Sequence, residues 1–202
     1  MVEDLIFYER HLPHWLPPGE DIFLTFRLAD SLPQEMLGRL QDEAQLVQRS
    51  LDLDPAQLYV ERKMYFGRFD DLLASSGHGP TWLRQPEIAA IVKQSLHHFD
   101  GSHYQLLAYC LMPNHVHLLV RLPEESPPLM RSLQRIKGFS ALQANKLLGR
   151  TGSFWQSESY DHIVRKGELE RIISYIVQNP VKAGLVGGWQ EWPFTYVIDG
   201  LM

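Results

Sequence analysis

Apolar and polar positions along the chain sort into runs of two periods. The stretch "DIFLTFRLA" (21–29) alternates and is rich in β-forming residues, which predicts a strand. "LPQEMLGRLQDEAQLVQRSL" (32–51) carries apolar residues at helical spacing with Pro33 early, which predicts a helix. Residues 52–79 hold no clear period and read as irregular or partly helical. "QPEIAAIVKQSLHHFDG" (85–101) predicts a second helix, stopped by its glycine. Two strands follow, "HYQLLAYCLM" (103–112) and "HVHLLVRL" (115–122), parted by Pro113 and Asn114. "PPLMRSLQRIKGFSALQANKLLG" (127–149) predicts a long helix and "SFWQSESYDHIVRK" (153–166) a further strand. "GELERIISYIVQNPVKAGL" (167–185) predicts a helix that has to end near Asn179, because Pro180 follows. The order β, α, extra helix, β, β, α, β, α is that of an α+β, ferredoxin-like split βαβ sheet. It implies one domain over 1–202, with an N-terminal arm (1–20), an insertion (52–84) and a C-terminal packing tail (186–202) built around Trp189 and Trp192.

Within "CLMPNHVHLLV", His115 and His117 stand two residues apart. On a strand they share one face, while Val116 and Leu118 turn to the other. Two neutral imidazoles side by side make two corners of a divalent-metal site. A lone strand histidine is more often a hydrogen-bonded core residue, so the weight of this pair comes from what lies downstream.

The last predicted helix supplies Tyr175 and Asn179, four residues apart and therefore neighbours on one helical face. Asn179 offers an amide oxygen as a third ligand; Gln178 is the alternative. A cation held by His115, His117 and Asn179 can polarise a phosphoryl oxygen. Tyr175 beside it can attack phosphorus and form a covalent phosphotyrosine. A free phenol titrates near ~10, so it needs help to lose its proton. The covalent bond conserves the energy of the broken phosphodiester, which strand transfer requires and plain hydrolysis does not. Tyr160, in "ESYDHIVR", is the competing nucleophile, although no amide side chain lies four residues beyond it. Asp161 and His162 face opposite ways on a strand, and one of them is a candidate neighbour of the metal.

Composition narrows the setting. Hydrophobic residues make up 45% of the 202 positions and charged residues 21%, the balance of an ordinary globular protein. No apolar run approaches the ~20 residues of a membrane span, and the acidic, proline-broken start is unlike a signal peptide. A single cysteine, Cys110, excludes an internal disulfide framework and suits the cytoplasm. The net charge of −5 is unevenly spread: residues 1–60 hold 4 basic and 11 acidic side chains, and residues 61–202 hold 15 and 13. From Leu129 to Ser157 there is no acid, while Arg131, Arg135, Lys137, Lys146 and Arg150 are all present. That helix is a candidate phosphate-contacting surface.

With these residues in view, "MPNHVHLLV" resembles the HUH motif of single-tyrosine transposases, in which U is a bulky apolar residue. "GSFWQSESYDHIVR" and "YIVQNPVKAGLV" resemble the downstream segments of the REP-associated tyrosine transposases, and the likeness spans roughly residues 20 to 188. The resemblance implies an HUH-type fold with a nucleophile-bearing C-terminal helix. His115 and His117 would be metal ligands, Tyr175 the nucleophile and Asn179 the third ligand. It implies Mg2+ or Mn2+ as cofactor. The partner would be single-stranded DNA folded into imperfect hairpins, cut to leave a 5′-phosphotyrosine and a free 3′-OH. The enzyme would act as a monomer or homodimer in a bacterial cytoplasm, associated with the nucleoid.

Other chemistries fit less well. A histidine-triad hydrolase needs a third histidine where Leu119 stands, and a TIM-barrel hydrolase usually takes ~250 residues. A cupin needs a nearby glutamate and a further histidine, and "LLVRLPEE" lacks the histidine. The competing function is a domesticated relative that binds hairpin DNA with little or no cleavage.

Overall fold

The computed structural model describes residues 17–39, 42, 55–75 and 78–201. Strand β1 (Asp21–Leu28) is followed by helices α1 (Pro55–Ser75) and α2 (Pro86–His98), and then by strands β2 (Gln105–Leu111) and β3 (His115–Arg121). Helix α3 (Leu129–Leu147), strand β4 (Trp155–Ile163), helix α4 (Leu169–Lys182) and strand β5 (Thr195–Val197) complete the order. The sheet runs β4-β1-β3-β2-β5, and every neighbouring pair is antiparallel. Its first four strands have the split βαβ plan expected from the sequence, with β3 at the centre.

Both faces of the sheet are covered, and side-chain alternation deals residues to each. Ile22, Leu24, Phe26 and Leu28 of β1 and Val116, Leu118 and Val120 of β3 turn into one core. There they meet Ile88, Val92 and Leu96 of α2 and Leu133, Ile136 and Ala144 of α3. Phe23, Leu119, Cys110 and Met112 turn the other way, against Ile172, Ile173, Ile176 and Val177 of α4. Full burial of each of those four α4 side chains contributes about 2 kcal/mol, so α4 is held firmly on this second face. In β2 the register shifts between Leu106 and Ala108, which sends both Leu107 and Ala108 to the α4 side.

Three details differ from the pattern-based expectations. The segment 52–79 contains a helix of 21 residues, α1. Its buried face carries Phe66, Asp70 and Leu73 at i, i+4 and i+7, while Val60 and Met64 are exposed. An acid at the centre of the inner face and apolar residues outside erase the periodic signal. Helix α4 does not stop at Asn179; Pro180 lies inside it, buried, and the helix reaches Lys182. Only the last turn is affected, and the Ala183 and Leu185 amides still bond to the Asn179 and Pro180 carbonyls. The tail after 186 adds strand β5, which pairs with β2 through Thr195, Tyr196 and Val197. Of the helix expected at 32–51, residues 34–39 and 42 are helical, and most of 40–51 lies outside the described residues, as does nearly all of the arm at 1–20. The chain returns from α1 past the end of β1 at Gly79 (φ +80), where a Cβ would collide with the Asp30 carbonyl oxygen. Among the described residues, no helix is long and apolar enough to cross a membrane.

Candidate metal and nucleophile site

His115 and His117 sit fully buried at the start of β3, on the face opposite Val116 and Leu118. Their Nε2 atoms face each other at 3.0 Å. Each ring is aimed by a partner on its other nitrogen. Thr25, directly across on β1, places its Oγ1 2.8 Å from His117 Nδ1. Asn114 places its Oδ1 2.7 Å from His115 Nδ1, and its own Nδ2 donates to the Leu73 carbonyl of α1 at 3.0 Å. Because that carbonyl can only accept, the Asn114 oxygen must face the ring. His115 therefore carries its proton on Nδ1 and presents a lone pair at Nε2. Burial, reinforced by neighbouring His117 and opposed by Asp70, pushes the His115 pKa down to about 3. The ring is neutral at ordinary pH.

Asp70 of α1 closes the group from above. It is 1% exposed, and its Oδ1 lies 3.2 Å from His117 Nε2 and 3.6 Å from His115 Nε2, yet it accepts no hydrogen bond. Its Oδ2 accepts the Tyr175 hydroxyl and, at 3.3 Å, the Asn179 amide Nδ2. Burial alone would raise the Asp70 pKa, but His117 and His115 and the Tyr175 hydrogen bond hold it well below the usual carboxylate range. Burial first, and then the Asp70 charge, push the Tyr175 phenol far above its usual value.

Helix α4 presents Tyr175 and Asn179 one turn apart on the same side, and Asn179 Oδ1 is buried without a partner. Gln178, one position earlier, is exposed to solvent. Tyr160 of β4 instead stacks on Phe66 of α1, with ring centroids 4.1 Å apart, and His162 faces Glu168 at 3.3 Å.

The donor set suits a divalent cation. Two ligands at right angles around an ion ~2.1 Å away stand ~3.0 Å apart, which is the separation of the two Nε2 atoms. Ligand atoms of Asp70, His115 and His117 all lie within 4.8 Å of one another. Among the described residues, two buried side-chain oxygens lack a hydrogen bond, one on Asp70 and one on Asn179, whose amide nitrogen contacts Asp70. Native proteins rarely leave such atoms unmatched, and a mixed imidazole and oxygen set accepts Mg2+ or Mn2+.

The basic residues of α3 lie across the sheet from this group, because α3 packs into the other core. Arg131, Arg135, Phe139, Leu142 and Lys146 form an outward stripe, with Phe139 50% and Leu142 67% exposed. Lys137 turns inward instead. Its ammonium donates to the carbonyls of Gln156, Ser157 and Glu158 at 2.9, 3.3 and 3.4 Å. Burial, with Arg27 adding to it, brings its pKa down to about 8. Arg150 stacks on Trp82, 4.2 Å from the ring centre, and bonds to Asn145 and the Ser153 carbonyl.

Pattern reading missed three members of the group: Asp70, Thr25 and Asn114. Asn114 stands beside the histidines in "PNHVH" but reads as turn punctuation. Thr25 has no signal apart from strand register. The only trace of Asp70 is an acid held between Phe66 and Leu73 at helical spacing.

Residues 83–179 match the family described as Transposase IS200 like. The chain is 28% identical over 119 residues to a Haemophilus influenzae protein assigned to the REP-associated tyrosine transposases, a match covering 54% of this chain and 66% of that protein. It is 28% identical over 93 residues to the REP-associated tyrosine transposase of Escherichia coli K12, covering 46% of this chain and 53% of that one. These matches span just under two thirds and about half of the relatives' lengths. Among solved structures, a REP-associated tyrosine transposase bound to a REP hairpin has a similar fold, with TM-score 0.51 and 20% identity, over 93% of this chain and 82% of that one.

Proposed function

We propose that this chain, which is similar to the REP-associated tyrosine transposases, is a metal-dependent single-stranded DNA endonuclease and strand transferase. The observation that carries the reading is one convergence: two imidazole Nε2 atoms 3.0 Å apart, the Asn179 amide Nδ2 and the hydroxyl of Tyr175, all meeting at the Asp70 carboxylate, with the Asn179 oxygen left buried and unpartnered. His115, His117 and Asn179 would hold Mg2+ or Mn2+. Bound there, the cation supplies Lewis-acid polarisation of a phosphoryl oxygen and screening of the developing charge.

Every other part falls to the chain's own residues. Tyr175 Oη attacks the scissile phosphorus, so that the Oη–P bond forms and the bond to the 3′ oxygen breaks. The products are a 5′-phosphotyrosine and a 3′-OH, and the 3′ oxygen takes up one proton. Asp70 Oδ2 already accepts the phenol hydrogen and is the group positioned to receive that proton, whose release balances the one gained by the 3′ oxygen. Thr25 and Asn114 hold the imidazoles in the orientation that leaves their Nε2 atoms for the cation. Attack by a 3′-OH on the phosphotyrosine reverses the chemistry and joins strands without ATP.

The substrate in this reading is hairpin-forming DNA in the cytoplasm. The structural relative is bound to a REP hairpin, which supports that choice. The outward stripe of α3 offers Arg131, Arg135 and Lys146 to phosphates and the Phe139 ring to an unpaired base.

A second reading has one observation in its favour: the Tyr175 phenol is held protonated by burial and by Asp70. A hairpin-binding protein that cleaves rarely would look the same. The test is incubation with labelled single-stranded hairpins from the neighbouring genomic DNA, with Mn2+ or Mg2+, followed by denaturing electrophoresis. The endonuclease reading expects a covalent protein–DNA adduct that disappears with chelator and in Tyr175→Phe. Hairpin binding that survives chelation, with no adduct under any condition, would favour the binder.

A further inference from the structure

The carboxylate of Asp70 has no place in the ligand set of two histidines and one amide, and it comes from upstream of the family-matched span 83–179. It is nevertheless the most central group of the site. Among the described residues no lysine or arginine reaches it; its contacts are His115, His117, Tyr175 and Asn179. A carboxylate that is 1% exposed is costly to bury without a positive partner. One of its oxygens has two hydrogen bonds, and the other has none and faces both imidazole nitrogens.

We infer that Asp70 is a fourth, anionic ligand of the cation, and that through it the bound metal fastens helix α1 across the site. This rests on the metal-dependent reading above, in which Asp70 serves only as the acceptor of the phenol proton, and extends it to metal ligation by Asp70 and to the helix that carries it. Charge supports it. Two neutral imidazoles and an amide leave a buried divalent ion with its full charge. Asp70 reduces this to one positive unit, and a scissile phosphodiester then neutralises the site. Hard cations also prefer carboxylate oxygen to an all-neutral set. Geometry supports it as well, since Oδ1 stands 3.2 and 3.6 Å from the two Nε2 atoms, close to the spacing of neighbouring ligands on one ion. The same carboxylate holds the Tyr175 hydroxyl through Oδ2, so Asp70 is also a positioning residue that ties the nucleophile to the metal. Beyond Asp70, helix α1 meets the sheet through Phe66, edge-on to Phe23 and stacked on Tyr160, and through the Leu73 carbonyl, which accepts from Asn114.

The test is calorimetric titration of Mn2+ into the full chain, with hydrogen exchange of the α1 amides measured with and without Mn2+. Wild type is compared with Asp70→Asn, Asp70→Glu and His117→Ala. The expected result is binding weaker by about tenfold or more in Asp70→Asn, partly recovered in Asp70→Glu. Mn2+ should slow α1 exchange in wild type and leave it unchanged in Asp70→Asn. Equal Mn2+ affinity in wild type and Asp70→Asn, with binding lost in His117→Ala, would overturn this inference and leave the metal-dependent reading standing. Absence of Mn2+ binding by wild type at millimolar concentration would defeat both. Should Asp70→Asn fail to fold, the wild-type exchange decides alone: slower α1 exchange with Mn2+ supports the inference, and unchanged exchange overturns it.

Discussion

The hydroxyl of Tyr175 donates its hydrogen bond to Asp70, a residue 105 positions earlier in the chain. The proposed nucleophile on α4 is thereby held by a carboxylate on α1, and the two meet above the histidine pair of β3. Tyr175→Phe removes the attacking oxygen and the donor together. It should abolish adduct formation and, because hydrogen bonds to charged groups contribute about 1.5–3 kcal/mol, lower stability by about that amount. Urea denaturation beside the adduct assay measures both. An adduct that persists in Tyr175→Phe would move the nucleophile to Tyr160.

The metal-free protein should lose stability in mild acid. His115 has its folded pKa lowered from 6.5 to about 3, so the unfolded chain takes up a proton that the folded one refuses. Stability therefore falls as pH drops below about 6.5, by ~1.4 kcal/mol per pH unit for one proton. Asp70, whose folded pKa is also depressed, adds its own loss only below its unfolded value of 3.8. Between pH 4 and 6.5 the slope of the unfolding free energy, measured in EDTA, should be steeper in wild type than in His115→Gln. His162 and His97 shift the same way and cancel in that comparison. Equal slopes would mean that His115 is not held neutral.

Thr25→Val keeps the shape of the side chain and removes the oxygen 2.8 Å from His117 Nδ1. Loss of such an orienting partner typically weakens metal binding by about 10–100-fold. Calorimetric Mn2+ titration of Thr25→Val should show a drop of that order with little change in fold by circular dichroism. An unaltered affinity would remove Thr25 from the site.

The cations of α3 should divide in hairpin binding. Arg131→Ala, Arg135→Ala and Lys146→Ala each remove an exposed charge and should weaken binding and reduce the salt slope by about one counterion. Lys137→Met should change the salt slope little, because its ammonium is occupied by three carbonyls of β4. Fluorescence anisotropy across a salt series separates the two classes, and a full-sized slope change in Lys137→Met would contradict the inward placement.

Lys137 gives an alkaline signature of its own. Its folded pKa of about 8 lies below the unfolded 10.5, so above pH 8 the unfolded chain holds one proton more than the folded one. Stability of wild type relative to Lys137→Met should therefore rise between about pH 8 and 10, by ~1.4 kcal/mol per unit at most. A flat difference in urea midpoints over that range would show that the amine is better solvated than its three carbonyl partners imply.

Local periodicity was enough for much of this molecule. Alternation in "HVHLLVRL" already put His115 and His117 on one face and Val116 and Leu118 on the other. The i, i+4 relation already paired Tyr175 with Asn179. Both are properties of a single element, set by two residues per strand repeat and 3.6 per helical turn. What tertiary structure decided are relations between elements. Asp70 became a member of the site only because α1 lies over β3, and its burial is the reason its helix looked aperiodic. Thr25 faces His117 through strand register, which no short window encodes. Pro180 stays helical because its ring is buried and its missing amide falls in the last turn, and β5 forms because the edge of β2 is there to pair with it. A sequence shows which atoms each element can present, but a buried charge is tolerated only where distant elements bring it partners, and that is settled by packing.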